Sequence, residues 1–328
     1  MTTRRQIIAG LASSAAFATI SVQPARAADP VRILTNWYAE AEHGGFYAAK
    51  ASGIYAKHGI DCSIVMGGPQ INGMQLLMGG DADFAMGYDT AIMTSIEHGL
   101  PIIAVGACFQ FDMQGIMAHA NITSLDDLKG HKILLAGPST QTFWPWLRER
   151  YGYTDDQIEP YTFNLQPFFT DSTIAQQAYA TSEPYQAQVA KVPINFFLFA
   201  KFGYPVYGET LVTPQPFLAK NPDVARRFIA ASMEGWRAYL RDPGPANALI
   251  KVDNPKMSDA QLAFSVGRFR AMAVATGGDA AKYGIGTMTD ARWKATRDFM
   301  VRNKLLRDQT DWKSAYTLDY VKDLRVMA

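Results

Sequence analysis

The chain has 328 residues, 48% of them hydrophobic and 19% charged. That is enough apolar material for one large or two medium cores, and too little charge for a disordered chain. Lys and Arg number 31 against 30 Asp and Glu, and without a basic run to grip a phosphate backbone nucleic acid is not an expected partner.

In chain order, residues 1–27 read as an export signal. Arg4-Arg5 precede the apolar run QIIAGLASSAAFATISV, and Ala25-Arg26-Ala27 offers small residues for cleavage before Ala28. Dilution of the run by Gly, Ala and Ser points to a twin-arginine route, whereas Ile7 stands where that motif commonly has Phe; both export routes stay open. Cleavage would remove three arginines and turn the balance slightly acidic. No cysteine follows the cleavage site to carry a lipid, and no later run approaches the roughly 18 apolar residues that cross a bilayer. A free protein of the periplasm is expected.

From Val31 the pattern alternates. VRILTNW reads as a buried strand ending on Trp37 and Tyr38, and EHGGFYAAKASGIYAKHG as an amphipathic helix ending at Gly59. DCSIVMGG, ADFAMGY and PIIAVGACF read as further strands, with NGMQLLMGG and TAIMTSIEHG as helices between them. Such alternation predicts a mostly parallel sheet covered on both faces, with ligands beyond the carboxyl ends of its strands. The loops there are TNWYAEAEHGG, MGGPQIN and MGYDT. Cys62 and Cys108 lie in strand-like runs and read either as a disulfide or as two small buried hydrophobes.

A second unit follows. Ser124 with Asp127 makes a capping pattern for LDDLKG. Next come strand KILLAG, loop PSTQTF and helix WPWLRERYG, where Pro145 belongs in the first turn. Strand-like EPYTFNL, helical TDSTIAQQAYA and INFFLFA extend the alternation to about Phe202. Long helices come last: Asn221 caps and Pro222 opens DVARRFIAASMEGWRAYLRD, ahead of SDAQLAFSVGRFRAMAVA and DARWKATRDFMVRNKLL. The expected fold is α/β with two lobes, the second inserted into the first. Residues 28–112 and 210–328 form lobe one with the C-terminal helices, 113–209 form lobe two, and the ligand cleft lies between.

Within NWYAEAEHGGFYAA, adjacent Glu42 and His43 diverge on any regular element. No i, i+4 pair sets two ligands on one helix face, so no metal centre is expected. Either Glu40 and Glu42 flank a helix start, where the dipole favours acids, while His43 packs; or His43 walls a ligand pocket. Trp37 is either a core residue or a stacking surface, with the Asn36 amide beside it reading donor and acceptor edges. MGGPQIN and AGPSTQTF set glycine and small polar residues between strand and helix, turns that either only close the chain or offer N–H groups to an oxygen. Neither is a nucleotide fingerprint, no nucleophile–base set accompanies Ser139, and no cofactor is expected. Glu183, before proline in an extended segment, reads as a ligand acceptor or a surface acid, and Glu209 carries the same two readings.

The stretches NWYAEAEHGGFYAAKASGIYAKHGID, GGP, GDADFAMG, LKGHKILL and SEPY together resemble the periplasmic solute-binding proteins of ABC importers. The similarity is to the branch that shares a domain with thiamine-pyrimidine synthases, across Val31 to Asp242. It implies a two-lobed type II periplasmic binding protein fold, a monomer that closes on a small molecule and delivers it to an ABC permease and its ATPase in the inner membrane. The synthase relatives are similar in using pyridoxal phosphate on an internal lysine beside a histidine, with a cysteine cluster. DADFAMGYDTAIMTSIE holds neither Lys nor His and no cysteine cluster occurs, so an enzyme is not expected. Carried over residue by residue, the resemblance implies pocket positions Asn36, Trp37, His43, Gly68, Tyr88 and Asp89 in lobe one. Ser139, Thr140 and Glu183 follow in lobe two, with Trp144 as a second stacking ring. FTDSTIAQQAYATSEPY departs from the Gly-x-x-Asp-Ala pattern common before that acid. The implied solute is a small, flat, polar aromatic, a thiamine pyrimidine precursor of the hydroxymethylpyrimidine or formylaminopyrimidine type. Riboflavin or another aromatic, and a sulfonate or nitrate-like anion, are the alternatives; the anion would want an arginine that the pocket loops lack.

Overall fold

The computed structural model describes residues 27–328; the segment read as an export signal lies, apart from Ala27, outside them. The strands run β1 (Asp29–Leu34), β2 (Ile60–Val65), β3 (Phe84–Gly87), β4 (Ile102–Phe109) and β5 (Gln114–His119). Then come β6 (Lys132–Leu135), β7 (Ile158–Pro160), β8 (Ile174–Tyr179), β9 (Ile194–Leu198) and β10 (Gly208–Pro214). They form two five-stranded sheets, ordered β2-β1-β3-β10-β4 and β7-β6-β8-β5-β9. The chain thus lays down four strands of the first sheet, builds the whole second sheet, and returns through β10. Among the described residues no helix is long and apolar enough to cross a membrane.

The sheets are mixed, where a mostly parallel one was expected. β1 runs parallel to β2 and β3, and β6 parallel to β7 and β8. β10 opposes both its neighbours, β3 and β4, and β5 opposes β8 and β9. These two strands enter their sheets straight from the other sheet, without the long crossover that a parallel neighbour requires.

Several local expectations are also corrected. TDSTIAQQAYA, expected as a helix, carries β8. Its Gln and Ala residues favour helix, but pairing with β5 and β6 on both sides overrides that preference. β1 stops at Leu34, so Trp37 and Tyr38 lie in the loop beyond it. Glu183 is not extended; it opens the helix Glu183–Val189, whose first turn tolerates Pro184. Asn221 precedes the helix Pro222–Arg241 as expected, yet its side-chain amide donates to the Phe217 carbonyl (3.2 Å) and makes no cap. The Ser124–Asp127 pattern does close reciprocally: the Ser124 N–H donates to Asp127 Oδ2 (2.9 Å) and the Asp127 N–H to Ser124 Oγ (3.3 Å). Cys62 and Cys108 are free thiols, both buried.

One close approach positions the site. The helix Gly44–Ala51, which carries the end of NWYAEAEHGG, lies directly on the helix Pro222–Arg241. A Cβ added to Gly235 would stand 2.2 Å from the Gly45 carbonyl oxygen, and one on Gly45 2.4 Å from the Trp236 ring. At Gly235 the nearest obstacle is backbone, which cannot rotate aside as a side chain can. Gly235→Ala is expected to destabilise by about 1–3 kcal/mol through overpacking, read as a lower melting temperature. An unchanged melting temperature would refute this contact.

Candidate functional site

A cavity of about 360 Å³ lies between the two sheets. The segment after β1 supplies Asn36, Trp37, Glu40, Glu42 and His43, and Tyr88 follows directly on β3 beside them. β10 brings Glu209, while Gln114, Ser139, Tyr179 and Glu183 come from the second sheet and its loops. Loops from both sheets also touch: the Gly137 N–H donates to the Pro69 carbonyl (3.0 Å), and the Thr181 hydroxyl to Glu42 Oε1.

A connected polar chain crosses the floor. The Glu40 N–H donates to His43 Nδ1 (3.4 Å), which leaves the ring proton on Nε2 to be donated to Asn36 Oδ1 (3.1 Å). Burial keeps that imidazole neutral, pulling its pKa down to about 3. Asn36 Nδ2 then donates to Glu209 Oε2 (3.0 Å) and to the Tyr88 hydroxyl (3.3 Å). Gln114 Nε2 donates to the same hydroxyl (2.5 Å), and the Tyr179 hydroxyl to Glu209 Oε1 (3.3 Å). Both ends of the Asn36 amide are therefore used inside the protein. It orients Glu209 rather than facing a ligand edge. Glu209 itself sits at φ +52°, a left-handed conformation that costs a non-glycine residue about 1–2 kcal/mol.

Trp37 is half-buried and stacks on Tyr161, ring centroids 6.0 Å apart at 26°, with Phe163 edge-on at 5.9 Å. Tyr161 is wholly buried and held from behind, its hydroxyl donating to Glu183 Oε1 (2.8 Å). Glu183 Oε2 accepts the Tyr179 N–H (2.8 Å). The indole is thus a propped plate at the cavity wall.

The electrostatics are one-sided. Glu40, Glu42, Glu183 and Glu209 all line the cavity and are nearly inaccessible, and among the described residues no Lys or Arg lines it. Burial raises the pKa of all four carboxyls, that of Glu183 to about 7; the nearby Glu42 and Glu183 charges push Glu40 further up. Among the described residues no group of three or more His, Cys, Asp or Glu is placed to hold a metal ion.

Of the ten positions expected at the pocket, the structure brings together Asn36, Trp37, His43, Tyr88, Ser139 and Glu183. Four lie elsewhere. Asp89 is turned into the core, where it accepts from the Thr296 hydroxyl (2.8 Å) and from the N–H groups of Thr90 (3.0 Å) and Tyr207 (3.2 Å). Trp144 is buried with its Nε1–H on Asp155 Oδ1 (2.9 Å), and the Thr140 hydroxyl closes its own turn on the Gly137 carbonyl (2.7 Å). Gly68 faces the Tyr38 ring, and Gln70 takes its place in the wall. Asp89→Ala is accordingly expected to cost about 2 kcal/mol of stability by orphaning buried donors while solute affinity stays put; a tenfold affinity loss in the folded variant would return Asp89 to the pocket. Glu40, Glu42, Gln114 and Tyr179 were not singled out as pocket residues. The doubled acid of EAE was the available signal for the first two, and the misassigned β8 hid Tyr179.

Residues 40–246 match the family described as NMT1/THI5 like. Over 287 residues the chain is 24% identical to riboflavin-binding protein RibY of Chloroflexus aurantiacus, covering 84% of this chain and 81% of that protein. Over 235 residues it is 23% identical to the formylaminopyrimidine-binding protein of Halalkalibacterium halodurans, covering 68% and 71%. Among solved structures, the periplasmic aliphatic sulphonate binding protein SsuA of Escherichia coli superposes with a TM-score of 0.61 at 15% identity, over 88% of this chain and 91% of that one. That likeness speaks for the fold alone.

Proposed function

The chain belongs to the NMT1/THI5-like family, and from that premise we propose that it is the exported solute-binding protein of an ABC importer. Its solute on this reading is a small, flat, polar aromatic, first a thiamine-type pyrimidine, captured in the periplasm by a monomer and handed unchanged to an inner-membrane permease and its ATPase. Residues 28–112 with 210–328 act as one lobe and 113–209 as the other, closing by a hinge.

The observation that carries the reading is the Trp37 plate, stacked on Tyr161 and facing a cavity rimmed by side-chain acceptors. A volume of about 360 Å³ falls in the range of small-molecule sites. An indole wall suits a ring, and polar groups around it suit ring nitrogens and an exocyclic amine. Four carboxyls line the cavity, with no Lys or Arg beside them among the described residues, and that lining disfavours a sulfonate or nitrate. Riboflavin is the second reading, favoured by the extent of the similarity to RibY.

Thermal-shift measurement against aminopyrimidines, flavins, sulfonates and aromatic acids tests the reading, since a ligand at 100 times its Kd adds about 2.7 kcal/mol. A rise with aminopyrimidines is expected, and the bound compound should be recovered unaltered. A rise with sulfonates alone overturns the solute class; turnover of the bound compound overturns the carrier role.

A further inference from the structure

We infer that Glu40 and Glu42 form the docking point for a cationic, N–H-bearing end of the solute, so that the cavity selects an amidinium-like or protonated-amine form over its neutral and anionic isosteres. The inference rests on the cavity being the solute site and names the charge class of what enters it.

Both carboxyls are more than nine-tenths buried, Glu40 4% exposed and Glu42 6%, and both line the cavity. Each keeps one oxygen without a partner, Oε1 of Glu40 and Oε2 of Glu42. An unpaired buried carboxylate oxygen is among the costlier polar groups a fold can hold. Among the described residues the lining has no Lys or Arg to act as countercharge, and its histidine, His43, is neutral with its Nε2 proton committed to Asn36. Among the fully buried side-chain atoms of the lining, the third without a partner, Gln114 Oε1, is an acceptor as well. What this buried end of the cavity lacks is positive charge.

The pair is held rigidly. Thr181, whose hydroxyl bonds the other oxygen of Glu42, has its carbonyl tied to Ser265 Oγ (2.6 Å) on the helix Asp259–Met272. Glu42 is near enough for its charge to disfavour ionisation of Glu40. An ammonium or amidinium relieves that repulsion, and an amidinium fork presents two N–H groups to two acceptors. With no third metal-ligating group beside them among the described residues, an organic cation fits better than a metal ion.

The test uses an isosteric series on the purified protein: benzamidine, benzamide and benzoate, measured by calorimetry near pH 7.5. Benzamidine is expected to bind at least tenfold tighter than benzamide, with benzoate weakest. Glu42→Gln and Glu40→Gln should each collapse the benzamidine-to-benzamide ratio toward one. The free variants should melt no lower than the parent, because each replaces a buried, poorly solvated acid by a neutral amide of the same shape, and that shows the fold is kept. Equal binding of benzamide and benzamidine, a ratio unmoved by both variants, or no benzamidine binding overturns the inference. Acetamidine, the same cation without a ring, separates the two ideas. If it binds as tightly as benzamidine, the flat-ring reading fails and the cation site stands; if benzamide matches benzamidine, the reverse holds.

Discussion

Trp37→Ala is expected to weaken solute binding by roughly ten- to a hundredfold, because stacking of a heterocycle on an aromatic side chain is worth about 1–3 kcal/mol. The plate is not free-standing: Tyr161 backs it and Glu183 fixes Tyr161 through the phenol. Removing the indole deletes the solute's contact surface and leaves the support in place, so the loss should fall mainly on the dissociation rate. Trp37→Phe keeps a smaller ring and should recover part of the affinity. Calorimetric titration with whichever compound raises the melting temperature most is the measurement. An unchanged Kd in Trp37→Ala would take the indole out of the binding surface and the flat-ring reading with it.

The free protein is expected to lose stability as pH rises from about 6.5 to 8, by on the order of 3 kcal/mol. Burial raises Glu183 from 4.5 to about 7 and Asp112 from 3.8 to about 8, and lifts Glu40, Glu42 and Glu209 in the same direction. Above the ordinary carboxyl range the folded state keeps protons that the unfolded chain has already lost. Unfolding then releases protons, and stability falls with rising pH until the folded groups ionise too. His43 acts oppositely on the acid side: held down to about 3 against an ordinary 6.5, it stays neutral when folded and takes a proton on unfolding. Its contribution is lost as pH drops below 6.5, which places the clean carboxyl signal above that value. Urea unfolding at fixed pH steps reads this slope, and a saturating cationic ligand should flatten it. Stability that climbed across the window would mean the acids are ionised and already paired.

Much of the architecture was legible locally. VRIL and IIAVGACF are apolar runs bounded by turn residues, and EHGGFYAAK and DVARRFIAASMEGW repeat apolar positions at helical spacing, so burial and backbone geometry ask for the same element. The strand β8 was not legible. IAQQAY has no branched run, and its extended form exists because β5 and β6 offer hydrogen bonds on both edges.

The site divides along the same line. The chain's own pattern marked the aromatic loop, the glycine turns and the acids as groups worth attention, since each is a matter of residue type and near spacing. Which of them face the solute depends on partners far along the chain. Asp89 is drawn into the core by Thr296, 207 residues away, whereas Glu209 is brought to the cavity floor by Asn36, 173 residues away. Two carboxylates that look alike in the sequence part company because a buried charge goes wherever donors are waiting, and those donors are assembled by packing of the two sheets.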